Sequence, residues 1–379
     1  MISFIIPSYN NLKHLKNVYT SIQKHAPLAE IILLDDGSID NTWDWIQQQN
    51  CIKYRSETRV GHTILYDKGI ELATNEIVGI LHADMILGPN YVENILKHLT
   101  LGKVVCGTRV EPPLHPAAQE KIIMDFGLDF DTLNIPAFEE FCLHKQKEYK
   151  DQITKGMFAP WCLYKKDFQA IGGHDTLFAP FPCEDSDIFN RWILNGYEMI
   201  QSRDAFVYHL TCRGHRWTEG IKNDTPEFLY YQNRAIRNFI RKWGSSIKND
   251  EFQHPIISHK YDIGFIVKNC NQQLLEALEP WCSTIYVDCN YDSYIAKEQL
   301  NTKFDLQERI KPYHNEKQNY ILVEFDAFKF TQQSFNIIQN LADIISESGE
   351  VGTFELDCFK VDIINLTSFE KDLIKNLAN

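Results

Sequence analysis

The sequence predicts an α/β protein: a first domain on a mostly parallel sheet with helices on both faces, then a smaller α/β domain. Three observations carry this. Short apolar runs alternate with apolar residues at helical spacing over the first hundred positions. Each early run ends in a polar group, as strands do where they leave a sheet. Near residue 250 the chain turns polar, and a second strand and helix series follows.

Ile2 to Ile6 is a buried-strand run stopped by Pro7, and Leu12, Leu15, Tyr19 and Ile22 recur at helical spacing. Ile31 to Leu34 forms a second buried strand ending in Asp35-Asp36-Gly37-Ser38. Asp40 or Asn41 caps a helix carrying Trp43, Trp45 and Ile46. Ile64, Leu65, Lys68 and Leu72 give a third helix, and Ile77 to Leu81 a third strand ending in His82-Ala83-Asp84. Residues 104–160, broken by Pro112, Pro113, Pro116 and Pro136, read as long loops and short helices. From Cys183 a helix carries Ile188, Phe189, Trp192 and Ile193 on one face and ends at Gly196. Ala205 to Tyr208 is a strand leading to His209, and Pro226 to Trp243 is helical.

The domains expected are 1–245, a linker at 246–260, and 261–379. The last contains strands at Ile263 to Val267, Thr284 to Val287, Tyr320 to Phe325, Gly352 to Leu356 and Val361 to Ile364. A helix with Leu274, Leu275 and Leu278, and one long helix from Phe335 to Ile345, complete it.

At 379 residues and 44.2 kDa the chain can bury a sizeable core, and 44% hydrophobic with 23% charged residues excludes disorder, collagen and coiled coil. The net charge of −13 argues against general affinity for nucleic-acid backbone or anionic membrane. Ten cysteines include no C-x-x-C pair, which argues against a zinc site or redox dithiol and suggests free thiols in a reducing compartment. No basic, apolar leader opens the sequence and no eighteen-residue apolar run occurs, so the expected location is cytoplasmic. The arginines at 234, 237 and 241 with Lys242 suit either a solvated helix face or peripheral contact with anionic lipid.

In parallel sheets, ligands sit at the carboxyl ends of the strands. Pro7-Ser8-Tyr9, Asp35-Asp36-Gly37 and His82-Ala83-Asp84 converge there. The Asp35-Asp36 pair suits hydrogen bonds to a base or ribose, or an Asx turn capping the next helix. His82 and Asp84, two residues apart, suit a divalent cation such as Mg²⁺ or Mn²⁺, or a turn histidine and a helix cap. Glu184-Asp185-Ser186-Asp187 opens a helix, where the macrodipole favours acids whatever the function; one of them can still serve as a general base. Asp187 and Arg191 pair at i, i+4. His209 is a metal ligand or a hydrogen-bonded core histidine. Arg213-Gly214-His215-Arg216-Trp217 suits a diphosphate and acceptor, or a surface loop.

The order of these groups, with Ile5-Ile6-Pro7-Ser8-Tyr9-Asn10, Leu33-Leu34-Asp35-Asp36-Gly37-Ser38, Ala83-Asp84, Gly172-Gly173, Glu184-Asp185 and His209, resembles the inverting glycosyltransferases of family 2 over residues 1–245. The resemblance implies the GT-A fold, with a Rossmann-like mixed sheet, and transfer of a sugar from a nucleotide-sugar donor, with UDP the nucleotide. It implies that Pro7 and Tyr9 line the base, Asp36 hydrogen-bonds it and Asp35 supports the nucleoside. Ala83 lies beside them, while Asp84, with His82 and His209, would hold the cation bridging the diphosphate. Asp185 would deprotonate the acceptor hydroxyl and Glu184 would position it, with Arg213, Arg216 and Trp217 on the acceptor or diphosphate side.

His82 stands where the D-x-D motif has its first acid, Met85 follows Asp84, and Arg213 stands where processive members carry Gln. A soluble enzyme of polysaccharide or glycoconjugate synthesis, acting on a glycan, lipid-linked glycan or protein hydroxyl, is the leading expectation. A catalytically silent nucleotide-sugar-binding or scaffold protein is the alternative. A nucleotidyltransferase or nicotinamide dehydrogenase would need a glycine-rich loop after an early strand, and none is present. In the last domain Asp288 and Asp326 each follow a strand with no motif around them.

Overall fold

The computed structural model describes residues 1–213, 216, 217, 220 and 222–375. These form two compact units: Met1–Tyr231 with Asn249–Pro255, and Gln232–Lys248 with Ile256 onward. The division falls inside one helix, Pro226–Trp243, where the sequence places it at 246–260.

The first unit carries a mixed sheet. Its strands are β1 (Ile2–Ser8), β2 (Glu30–Asp35), β3 (Ile52–Arg55), β4 (Ile77–Ile80), β5 (Met85–Leu87), β6 (Lys103–Glu111), β7 (Lys121–Ile123), β8 (Ile153–Thr154), β9 (Trp161–Tyr164) and β10 (Glu198–His209). Their spatial order is β3-β2-β1-β4-β9-β6-β10-β5, with β7 beside β6 and β8 beside β10. The first four run parallel, and β9 and β5 run antiparallel to their neighbours. Every residue of β1 is buried, as expected of a central strand covered on both faces. The chain leaves β1 for β2 on one side and reaches β4 on the other, so β1 is a switch point whose carboxyl end opens a crevice.

Helices follow the strands: α1 (Leu12–His25), α2 (Thr42–Gln47), α3 (His62–Leu72), α4 (Tyr91–Leu96), α5 (Ile135–Glu148), α6 (Lys165–Ala170), α7 (Glu184–Leu194) and α8 (Pro226–Trp243). On α1, Leu15, Tyr19 and Ile22 face the core as their spacing predicts. On α3 the buried side is Tyr66, Gly69 and Ile70, not the side bearing Ile64, which is 37% exposed. Gly69 lets this helix approach the sheet so closely that a Cβ there would overlap Ile5 and Leu34.

Three further expectations are corrected. Ile77–Ile80 is the fourth strand, because Ile52–Arg55, half-buried at the sheet edge, was not foreseen. Residues 104–160 are not mainly loops: β6 is buried along nearly its whole length, with Arg109 and Glu111 inside it. Pro136 does not break α5, since it sits in the first turn, where a proline forfeits no helical hydrogen bond. Asn134 caps that helix by accepting from the Ala137 amide at 3.2 Å.

The second unit has strands β11 (Ile263–Lys268), β12 (Thr284–Val287), β13 (Ile310–Pro312), β14 (Ile321–Asp326), β15 (Gly352–Leu356) and β16 (Phe359–Ile363), in the order β13-β12-β11-β14-β16-β15. The first four are parallel and the last two close as an antiparallel hairpin. The expected helix from Phe335 to Ile345 is two, Gln332–Gln339 and Leu341–Ser348, parted at Asn340.

The basic face of α8 is neither solvated nor offered to a lipid surface. Arg241 is fully buried and bonds Glu279 and Glu298, while Arg237 donates to Glu298 at 2.7 Å and Arg234 to the Asn301 carbonyl at 3.2 Å. Among the described residues no helix is long and apolar enough to cross a membrane.

Candidate active site

The polar strand ends of the first unit do converge. Pro7, Ser8, Tyr9, Asp36, His82, Ala83 and Asp84 line one cavity of about 300 Å³. Its far wall is the start of α7, with Glu184 and Asp185, together with His209 and Arg216.

One short segment, Arg59 to Thr63, which runs into the first turn of α3, ties the two walls together. Both carboxylate oxygens of Asp36 accept from its amides, Val60 at 2.7 Å and Gly61 at 3.0 Å. Gly61 has φ of +89°, and a Cβ there would overlap Pro180, just ahead of α7. The Thr63 hydroxyl donates to the Pro180 carbonyl at 3.0 Å. The Arg59 guanidinium lies 4.0 Å over the Tyr9 ring and 5.3 Å over Phe181, and it pairs with Glu227.

His62 donates to or accepts from Glu184 across 2.6 Å, and its ring stacks on Phe181 at 5.7 Å. Oε2 of Glu184 and Oδ1 of Asp185 are buried and make no well-formed hydrogen bond among the described residues, although the nearby Trp161 indole favours the ionised form of Asp185. Burial would raise the Glu184 pKa, but the charge and hydrogen bond of His62 outweigh it and hold it below the usual carboxylate range. Asp185 moves the other way: burial, then the adjacent Glu184 charge, raise its pKa. Two neighbouring carboxylates therefore differ in kind, one a fixed anion and one poised to take a proton.

His82, Asp84 and His209 place ligand atoms within 4.8 Å of one another. The register of β10 against β5 pairs His209 with Met85, one residue beyond Asp84. His209 Nδ1 bonds Glu111 Oε1 at 2.9 Å, which turns Nε2 towards Asp84 Oδ1, 3.6 Å away. Glu111 is held in turn by Arg109 at 2.7 Å and Lys121 at 2.9 Å, a buried ionic group beneath the site. Burial, then the neighbouring His209 charge, lower the His82 pKa to about 3, so that ring is neutral. For Asp84, burial is outweighed by His209 and His82, and its pKa is lowered. Two imidazoles and an ionised carboxylate, one imidazole braced by a carboxylate behind it, fit a divalent cation.

Three of the sequence-predicted residues lie elsewhere. Asp35 is fully buried, accepts from the Ser38 amide at 3.2 Å and pairs with Arg55, which is the Asx-turn geometry. Arg213 contributes its backbone, whose amide donates to Asp84 Oδ2 at 3.0 Å, while its side chain reaches the Leu128 carbonyl. Trp217 stacks on His115 and donates to Asp224 at 2.8 Å. Gly214 and His215 lie outside the described residues. Conversely, Arg59, His62, Tyr66, Phe158 and Phe181 line the cavity and were not foreseen, nor was Glu111.

Residues 3–166 match the family model described as Glycosyl transferase family 2. The chain is similar to the validoxylamine A glucosyltransferase of Streptomyces hygroscopicus subsp. jinggangensis, 24% identical over 236 residues, covering 54% of each chain. It is also similar to glycosyltransferase GlyG of Streptococcus pneumoniae serotype 4, 30% identical over 105 residues, 26% of this chain and 35% of that one. The chain spans about half the length of the validoxylamine A glucosyltransferases it matches. Among solved structures it is similar to GalNAc-T7 with UDP, GalNAc and Mn²⁺ (TM-score 0.43, 15% identity, 64% of this chain and 50% of that one). A second is S. aureus TarS 1-349 in complex with UDP (TM-score 0.40, 16% identity, 62% and 64%).

Proposed function

We propose that the first unit transfers a sugar from a UDP-sugar to an acceptor hydroxyl, with inversion at the anomeric carbon. The observation that carries this is the pairing of Glu184, held as an anion, with Asp185, whose buried Oδ1 makes no well-formed hydrogen bond among the described residues, facing the strand-end cavity. Tyr9 and Pro7 line the base, and Asp36 shapes that wall through the loop amides it accepts. Arg59 sets a cation on the same wall. Oδ1 of Asp185 accepts the proton of the acceptor hydroxyl while Oε2 of Glu184 accepts from a second donor on the acceptor, so the nucleophile is held and activated together.

His82, Asp84 and His209 would hold a divalent cation, and two nitrogen donors favour Mn²⁺ over Mg²⁺, which takes oxygen ligands. When bound, the cation neutralises charge on the diphosphate leaving group. The acceptor is a hydroxyl of a glycan, lipid-linked glycan or protein.

The test is release of UDP from a panel of UDP-sugars by the full chain with Mn²⁺, with water or added glycans as acceptor. UDP release that D185N abolishes is the expected result. UDP binding without release from any donor would overturn the enzymatic reading in favour of a silent binding protein.

A further inference from the structure

Adjacent buried carboxylates at one helix start repel, and without a nearby cation they hold one proton between them. The helix N-terminus eases this by the macrodipole but cannot choose between them, since Glu184 and Asp185 are the first two residues of α7. What distinguishes them is His62. Its Nε2 lies 2.6 Å from Glu184 Oε1, and its ring is clamped against Phe181 at 5.7 Å and tilted against Tyr66 at 5.5 Å. The start of α3 that carries it is fastened at Asp36 behind and at Pro180 ahead, so the imidazole has a fixed place.

We propose that His62 is a positioning residue for the transfer reaction: it pins Glu184 as its ion partner, and thereby leaves Asp185 as the base. This rests on the glycosyl-transfer reading of the site, whose two carboxylates it explains. The charged and titratable groups around His62 are Glu184 and Asp185 on α7, Asp36 at the end of β2 and His82 after β4, with Tyr66 on its own helix; His174 also acts on the acid pair. Burial would strip the His62 proton, but those three carboxylates outweigh it and raise its pKa. With the imidazolium present, both acids ionise near neutral pH. Without it, one proton stays on the pair and the base is lost over part of that range.

The experiment has two arms on the full chain. In the first, ¹⁵N-histidine NMR follows His62, assigned by the signal missing from H62Q. It should titrate above the ordinary histidine value of about 6.5, and its pKa should fall by about one unit or more in E184Q. A His62 that titrates at the ordinary value, indifferent to E184Q, overturns the proposal. In the second arm, pH profiles of kcat/KM for UDP-sugar turnover are compared. H62Q should move the acid limb up by about one pH unit while the donor KM stays within about twofold, because the amide keeps the hydrogen bond and drops the charge. An unmoved limb overturns the proposal. Should the wild-type protein turn over no donor, the transfer reading fails on that result alone, and the NMR arm still decides the role of His62.

Discussion

Both units set parallel central strands behind a carboxyl edge bearing aspartates, yet the two edges use their acids differently. In the second unit, Asp288 accepts from the Asn269 amide at 2.7 Å and the Cys270 amide at 2.9 Å. Asp326 accepts from the Asn269 side chain at 3.0 Å and the Phe328 amide at 3.0 Å. The acids there fasten the end of β11 to the ends of its two neighbours, β12 and β14. In the first unit, Asp35 serves its own turn, and its Oδ1 too is buried without a hydrogen-bond partner among the described residues. What differs is that Glu184 and Asp185 carry their unpartnered oxygens on the wall of a cavity, where three metal-type donors meet. An acid at a strand end is therefore a poor marker of function, and so is an unmet buried oxygen by itself, which Asp35 and Glu120 also have; an unmet oxygen on a cavity wall is a better one.

The largest effect that would sharpen this contrast lies at Asp185. D185N should lower UDP-sugar turnover by about 10²–10⁴-fold with unchanged circular dichroism, as loss of a general base does. In the second unit the sensitive group is instead structural. Glu279 is fully buried between Arg241 and Arg309, at 2.6 Å from each, so E279Q removes the carboxylate charge that two guanidinium groups share and should cost about 3–5 kcal/mol in denaturant unfolding. UDP binding should survive that change under folding conditions; its loss would break the comparison.

The pH dependence is a smaller but sharper probe. Asp185 must be ionised to accept a proton, and burial with the Glu184 charge raises its pKa. Turnover should therefore be intact above that raised value and fall about tenfold per pH unit below it, with the limb above the ordinary aspartate value of about 3.9. A limb at the ordinary value would contradict the assignment, and kcat/KM against pH decides it. The smallest effect is at Asp326: D326N should leave UDP affinity, measured by calorimetry, unchanged, since its carboxylate bonds only Asn269 and Phe328 within the second unit.

Much of this was legible in the sequence because strand ends announce themselves: apolar runs closing on Ser8-Tyr9, Asp35-Asp36 and His82-Ala83-Asp84 give the crevice directly. What was hidden depends on partners far along the chain. The segment Arg59 to Thr63 has no periodicity, and the bond between His62 and Glu184 spans 122 positions. Glu111 was concealed because a strand with Arg109 and Glu111 inside it does not look buried until Glu120, Lys121 and His209 are brought against it. Arg213 misled in the opposite sense, its conspicuous charge pointing away while its plain amide holds Asp84.

The central claim is that the strand-end cavity of the first unit binds a nucleoside diphosphate together with a divalent cation. Thermal unfolding of the wild-type protein and D84A, with UDP, Mn²⁺, both and neither, tests it most directly. At a ligand concentration about a hundred times Kd, binding to the native state adds about 2.7 kcal/mol. A rise in Tm with UDP that needs Mn²⁺ and disappears in D84A is the predicted result. No rise with UDP under any condition, or an equal rise in D84A, would contradict it.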